Sequence, residues 1–150
     1  MIIICLPMMV ACSVKSPSGQ IDAMLKRVTV VERRVDKLYD GDFSYLVKEY
    51  AALDTTVARQ KDINTEMVLL QAYLQQFETQ RVVIKRNASL SRQQLSNLKD
   101  DVKKQLYDEA TTSKYIKDEE KELHTMEAQL DYFQEKFDAQ KKVVKQLRKE

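Results

Sequence analysis

Helix-breaking residues are scarce in this 150-residue chain. It contains two glycines and two prolines, and neither residue occurs after Gly41. Turns depend on such residues, so the stretch 42–150 is not that of a loop-rich globular domain. Charged residues make up 32% of the chain, above the usual proportion of about 25%. The composition is typical of long helices.

Residues that carry chemistry are also few. Cys5 and Cys12 are the only cysteines and His124 is the only histidine. Residues 13–150 therefore contain no cysteine, which excludes a disulfide framework there and leaves no thiolate or second imidazole for a zinc site. No glycine-rich phosphate loop is present, and a net charge of +2 implies no general affinity for nucleic acid. We therefore expect no catalytic residue, metal, cofactor or small-molecule substrate.

The N-terminus differs from the rest of the chain. About ten apolar residues precede Cys12, and the sequence then becomes small and polar over 13–20. A membrane-spanning helix needs roughly 20 apolar residues, so this run is too short to span a bilayer. Its length fits the apolar core of a cleavable export signal.

The four residues Met9-Val10-Ala11-Cys12 resemble the lipobox of bacterial lipoproteins. The resemblance covers residues 1–12 only. It implies that the signal peptide 1–11 is removed, that Cys12 is acylated, for example with palmitate, and that 12–20 form a short linker. It also implies attachment to the inner or outer membrane, facing the periplasm or the surface. The alternative is an ordinary apolar N-terminus with a buried free thiol.

Apolar residues then recur in steps of three and four, the repeat of a coiled-coil seam. The pattern predicts helices at about 21–40, 43–86 and 92–149. The seam contains Ile21, Leu25, Val28, Val31, Val35, Leu38, Phe43, Leu46, Tyr50, Leu53, Val57, Ile63, Met67, Leu70, Leu74, Phe77, Leu95, Leu98, Val102, Ile116, Leu123, Met126, Leu130, Phe133, Phe137, Val144 and Leu147.

The best turn signal lies at 87–91. Asn87 suits a helix stop, and Ser91 with Gln94 forms a capping-box pattern. A turn here pairs Phe43 with Phe137 and predicts an all-α, long antiparallel helical hairpin or coiled coil, with residue 21 near the basic end at 147. A helix over 92–149 would be about 85 Å long. A parallel homodimer without this turn is the competing arrangement.

Two places interrupt the pattern. Gly41 predicts a kink or a short break in the N-terminal helical segment, since glycine costs about 1 kcal/mol inside a helix. The seam is also polar at Gln105, Glu109, Thr112 and Glu119, close to a stretch poor in helix formers at 111–113. This zone is open to three interpretations: a flexible waist, a second break, or a face for another chain.

Four residues are candidates for partner contacts. Tyr45 and Tyr132 belong to an aromatic group that either docks a partner or packs the core around Gly41. Lys141 and Lys145 belong to a basic C-terminus that either meets an anionic partner or complements the helix dipole.

These patterns predict a lipid-anchored envelope protein that acts as a structural spacer or assembly adaptor without catalysis. Its partners would be membrane lipid, through acylated Cys12, and a protein or a second copy, through helical faces. The alternative is a non-lipidated intracellular coiled-coil scaffold subunit that forms a homo- or hetero-oligomer.

Overall fold

A computed structural model describes residues 16–54 and 61–148, with the side chains of 54 and 61–64 outside the described set. Cys12, Val57 and Ile63 therefore lie outside what it describes. The fold is all-α, as the sequence predicts. Its elements are α1 (Pro17–Leu38), a π-helical turn (Tyr39–Phe43), α2 (Ser44–Asp54), α3 (Lys61–Lys103) and α4 (Glu109–Leu147).

The first helix begins earlier than predicted. Ser16 is its N-cap and accepts a hydrogen bond from the amide of Gly19 at 3.2 Å, and Pro17 takes the first helical position. Proline suits that position because its missing N–H would be unpaired there anyway. The linker predicted over 12–20 is thus wrong from residue 17 onward.

The turn predicted at 87–91 does not form, because these residues lie inside α3. Ile84, Ala88 and Ser91 are buried. Ile84 lies seven residues after Phe77, and steps of four, three and four then lead through Ala88 and Ser91 to Leu95. Because Ala88 and Ser91 have small side chains, the buried stripe is hard to recognise in the sequence here, although it continues. The predicted boundaries 43–86 and 92–149 are therefore wrong.

The connection between the long helices lies at 104–108 instead. Gln105 has a φ of 54°, and two hydrogen bonds close α3: Leu106 N–H to the Asp101 carbonyl at 3.0 Å, and Gln105 N–H to the Val102 carbonyl at 3.2 Å. This is a Schellman ending. Asp108 then caps α4 by accepting from the amide of Thr111 at 2.7 Å. Of the three interpretations of the polar zone, a second break is correct.

Three long helical arms pack together around one core. Salt bridges show that α1 runs antiparallel to α3, where Asp22 pairs with Lys99 and Asp36 with Lys85. The arm formed by α1, the π-helical turn and α2 runs parallel to α4. Arg27 pairs with Glu127, Asp42 with Lys141 and Glu49 with Arg148, and the paired numbers differ by 100, 99 and 99.

This arrangement corrects the predicted hairpin. Phe43 and Phe137 do meet, with ring centroids 6.4 Å apart, but in helices that run in the same direction. Ile21 therefore lies at the end where α3 passes into α4, and Arg148 lies at the opposite end. With 39 residues, α4 is about 58 Å long at 1.5 Å per residue, shorter than predicted.

The irregularity predicted near Gly41 is present as the π-helical turn. The Ser44 hydroxyl donates to the Tyr39 carbonyl, five residues back, at 2.7 Å. Buried residues step regularly up to Leu38 and resume at Leu46, one residue later than an uninterrupted repeat of seven would place them. The wider turn absorbs this extra residue and keeps one apolar face towards the core.

Gly41 itself is expected to be replaceable. A Cβ added there meets nothing within 4 Å, and glycine in a helix is less favourable than alanine by about 0.5–1 kcal/mol. Gly41→Ala should therefore raise the free energy of unfolding in urea by about that amount. A loss of stability would show that the turn needs the flexibility of glycine.

Phe77 joins all three arms. Its ring lies 5.4 Å from Phe43, 5.1 Å from Phe133 and 5.0 Å from Phe137, centroid to centroid, and its side chain is fully buried. Two of these contacts are edge-on, an arrangement that aromatic quadrupoles favour.

Phe77→Ala should lower the free energy of unfolding by about 3–5 kcal/mol, the usual cost of emptying a buried aromatic site. Phe77→Leu keeps most of the volume and should cost clearly less. Urea unfolding followed by circular dichroism measures both variants. Equal losses would indicate that ring packing contributes little at this position.

Candidate functional site

The end of the bundle where α3 passes into α4 exposes three large apolar side chains, which we call the tip cluster: Leu106, Tyr107 and Tyr115. They are 60%, 41% and 42% exposed, and the two tyrosine rings meet edge-on at 5.3 Å. The Schellman ending explains the exposure of Leu106. The residue at its position normally packs back onto the last helical turn, but Asp101 lies there instead of an apolar side chain.

An open groove of about 440 Å³ adjoins the tip cluster. It is lined by Gln94, Asn97, Leu98, Asp101, Tyr107, Tyr115, Asp118 and Glu119. The lining combines amide, carboxyl and tyrosine side chains with one leucine, and these residues include no histidine, cysteine or basic side chain.

Glu119 is the most perturbed carboxyl in this groove. Burial raises its pKa above the ordinary 4.5, and the nearby Asp118 and Glu122 act in the same direction, while a hydrogen bond from Ser91 opposes them. Its Oε2 is buried without a hydrogen-bond partner among the described residues. The sequence marked Glu119 only as a break in the seam.

A second, shallower groove lies between α3 and α4 farther along the bundle. It is lined by Gln76, Gln80, His124, Thr125, Ala128, Gln129, Tyr132 and Phe133. The Lys136 ammonium lies 5.2 Å from the Tyr132 ring centroid and 5.7 Å from that of Tyr73. His124 is exposed and stands apart from any cluster of acidic side chains that would hold a metal.

The four residues predicted for partner contacts fall into different surroundings. Tyr45 is half-buried against the core, whereas Tyr132 is exposed and its ring packs edge-on to Phe133 at 5.2 Å. Lys145 is exposed in the last turn of α4. Partner binding by any of the four stays a prediction.

Lys141 is already engaged within the chain. Its ammonium pairs with Asp42 at 3.0 Å and with Asp138 at 2.6 Å. Burial opposes the charge, but the hydrogen bonds to these two carboxylates outweigh it and raise the pKa of Lys141. Asp42 also accepts from the Gln134 amide at 2.8 Å. An anionic partner would have to compete with this network.

The outer side of α3 carries a second apolar surface, which we call the α3 flank. Its members are exposed valines and leucines: Val68, Leu69, Val82, Val83 and Leu90. These residues lie on the side of α3 opposite to its buried stripe, and they are exposed among the residues that the structure describes. Sequence reasoning missed it because its residues lie outside the seam.

Within 16–54 and 61–148, no helical stretch combines the length and the hydropathy that a bilayer crossing requires. Over the same residues, histidines and acidic side chains nowhere gather in threes in a way that would hold a metal ion.

Comparison with models of protein families, with curated proteins and with solved structures finds no match to this chain. The function must therefore be argued from the surfaces described above.

Glu119 yields a pH-dependent prediction. Because its pKa is raised in the folded state, ionisation of this group disfavours folding. Its contribution is favourable below pH 4.5 and is lost as the pH rises through the folded pKa. Glu119→Gln should therefore raise the free energy of unfolding at pH 7, because the amide is neutral at every pH and avoids the cost of partly burying a carboxylate charge.

The measurement is thermal unfolding of wild type and variant at pH 7 and below pH 4.5. The difference should shrink at acidic pH, where both side chains are neutral. Glu135→Gln is the matched control, because Glu135 is exposed on the same helix and should show no such change. A gain that persists undiminished at acidic pH would assign the effect to something other than ionisation.

Proposed function

We propose that the chain is a lipid-anchored bacterial envelope protein whose helical bundle serves as a structural spacer or assembly adaptor. The observation that carries the proposal is the short distance in sequence between the anchor motif and the bundle. Met9-Val10-Ala11-Cys12 ends only four residues before Ser16, the N-cap of α1. An acyl chain on Cys12 would therefore hold the bundle directly against the membrane surface.

The described residues fit a role in binding and spacing. Their core is a continuous apolar cluster that runs through all the helical arms, and the grooves are open to solvent. The exposed apolar groups lie on the tip cluster and the α3 flank. Exposed apolar patches of this kind mark interaction surfaces more often than isolated surface residues do. An adaptor needs such surfaces on a stable support.

The anchor also has a sufficient physical basis. Each buried methylene group contributes about 0.8 kcal/mol, and stable attachment generally takes two acyl chains. The resemblance to lipoproteins implies two or three chains on one cysteine. No transmembrane helix would then be required.

A second candidate, a non-lipidated intracellular scaffold subunit, is favoured by the α3 flank alone. That surface suits a helix from a second copy or another protein whether or not Cys12 is acylated. The two candidates differ in the chemistry of Cys12, and that difference is directly measurable.

Metabolic labelling with a radioactive fatty acid in a bacterial host should place label on the wild-type chain and none on Cys12→Ser. Cys5→Ser is the matched control. Cys5 belongs to the segment that signal cleavage would remove, so this variant should keep full labelling. Mass spectrometry of the mature chain should find Cys12 as the first residue.

Absence of label on the wild type, or label that survives Cys12→Ser, would contradict the anchor. The intracellular scaffold would then be the better reading, and sedimentation of the purified chain would show its oligomeric state.

A further inference from the structure

We propose that the tip cluster, Leu106 with Tyr107 and Tyr115, contacts the lipid surface and sets the bundle upright on the membrane. This inference rests on the proposed lipid anchor and adds which end of the bundle meets the bilayer. It follows from three observations: the position of Ser16, the exposure of the tip cluster, and the charge around it.

The start of α1 and the tip cluster lie at the same end of the bundle. Asp22 forms an ion pair with Lys99. From Asp22 to Pro17, and from Lys99 to Lys104, the chains travel five residues in the same direction, about 7.5 Å along each helix. Pro17 is therefore level with the end of α3, within about one helical turn of Leu106.

The anchor cysteine cannot be far from this end. Cys12 is four residues before Ser16, and an extended chain spans at most about 3.6 Å per residue, so the two Cα atoms are within about 14 Å. An acylated Cys12 lies at the boundary between headgroups and hydrocarbon. The tip cluster is thereby confined to the neighbourhood of the headgroup layer.

The exposed side chains suit that layer. Tyrosine is enriched at membrane–water interfaces because its ring is apolar and its hydroxyl is polar. Leu106 offers an apolar side chain that is 60% exposed. Tyr107 follows Leu106 in the chain and its ring meets that of Tyr115 edge-on, so the three exposed side chains at this end give lipid an apolar area larger than Leu106 alone.

Basic and acidic side chains are equal in number around the tip cluster. This balance determines whether its contact with lipid is electrostatic or apolar. Residues 99–115 contain four basic and four acidic side chains: Lys99, Lys103, Lys104 and Lys114 against Asp100, Asp101, Asp108 and Glu109. Lys103 pairs with Asp100 at 3.6 Å. Anionic lipids attract a surface with an excess of basic side chains, and this end has no such excess. The contact is therefore apolar and should depend little on lipid charge.

The chain contains no tryptophan, so a single introduced tryptophan reports its own surroundings. We compare Leu106→Trp with Val82→Trp in the full-length acylated protein, reconstituted in phosphatidylcholine vesicles with brominated acyl chains. The control is matched, because both side chains are 60% exposed and Val82 lies on the α3 flank.

Bromine should quench the Leu106→Trp variant roughly threefold more than the Val82→Trp variant, since interfacial apolar groups enter about 5–10 Å into the headgroup and acyl boundary. Adding phosphatidylglycerol should change the quenching by less than about twofold, because the local charges cancel. If Leu106→Trp fails to fold by circular dichroism, Tyr107→Trp takes its place.

Equal quenching at the two positions, or stronger quenching at Val82→Trp, would overturn the upright orientation. Blue-shifted emission from Leu106→Trp without bromine quenching, together with a dimer in sedimentation, would overturn lipid contact in favour of a second copy. A large rise in quenching with phosphatidylglycerol would overturn the apolar nature of the contact.

Fatty-acid labelling of the same preparations separates this inference from the proposed function. Labelled protein without quenching at the tip rejects the tip contact and leaves the anchor intact. Absence of label would contradict the anchor. Bromine quenching after vesicles are added to the unacylated chain would then test the tip contact separately. Selective quenching of Leu106→Trp would support it, and its absence would reject it.

Discussion

The packing of Phe77 against three other phenylalanine rings is the interaction on which the bundle depends. Phe43, Phe133 and Phe137 come from two other arms, and Phe43 reaches the cluster from the π-helical turn. Without the wide π-helical turn, the extra residue between Leu38 and Leu46 would make the apolar stripes on either side of it face different directions. The π-helical turn and the aromatic core are therefore linked, because the turn keeps the apolar residues before and after it facing the same core. The guanidinium of Arg81 lies over the neighbouring Tyr39 ring, 4.0 Å from its centroid. This contact extends the packing to the surface.

Ion pairs link α1 to both of the other arms and favour one register between them. Apolar seams with steps of three and four can pack in either direction, so burial alone does not choose between them. Arg27 donates two hydrogen bonds to Glu127, at 2.9 and 2.7 Å, and this pairing lowers the pKa of Glu127. Such pairs are partly exposed and contribute about 0–1 kcal/mol each. Their main effect is on register, because a reversed α1 would bring its charges against the wrong partners.

The sequence was sufficient for the all-α class, for most of the buried stripe and for the irregularity near Gly41, because each follows from local periodicity or from a single residue type. It failed on connectivity. Ala88 and Ser91 continue the stripe with small side chains that add little to the apolar periodicity, whereas Asn87 and the Ser91–Gln94 pair are residue types typical of helix ends. The pairing of Phe43 with Phe137 was compatible with helices that run parallel or antiparallel.

At the candidate site, Tyr132 is exposed as an interaction surface requires, whereas Lys141 is held by Asp42 and Asp138 in contacts that only the fold creates. Tyr107 and Tyr115 lie eight residues apart, and the contact between their rings depends on a turn that was predicted elsewhere in the chain.

The corrected connectivity changes what a lipid on Cys12 would do. In the predicted hairpin, the anchor would have met the basic C-terminus and the helix turn would have pointed away. In the bundle, Ser16 shares its end with the turn between α3 and α4, while Arg148 pairs with Glu49 at the far end. The partly polar end of the core, with Glu119 and Thr112, is then the end nearest the membrane, and the aromatic cluster lies farther out. The α3 flank runs along the side of this support. An anchored bundle of this geometry would hold one apolar surface at the lipid and present the other laterally, which is the division of surfaces that an assembly adaptor requires.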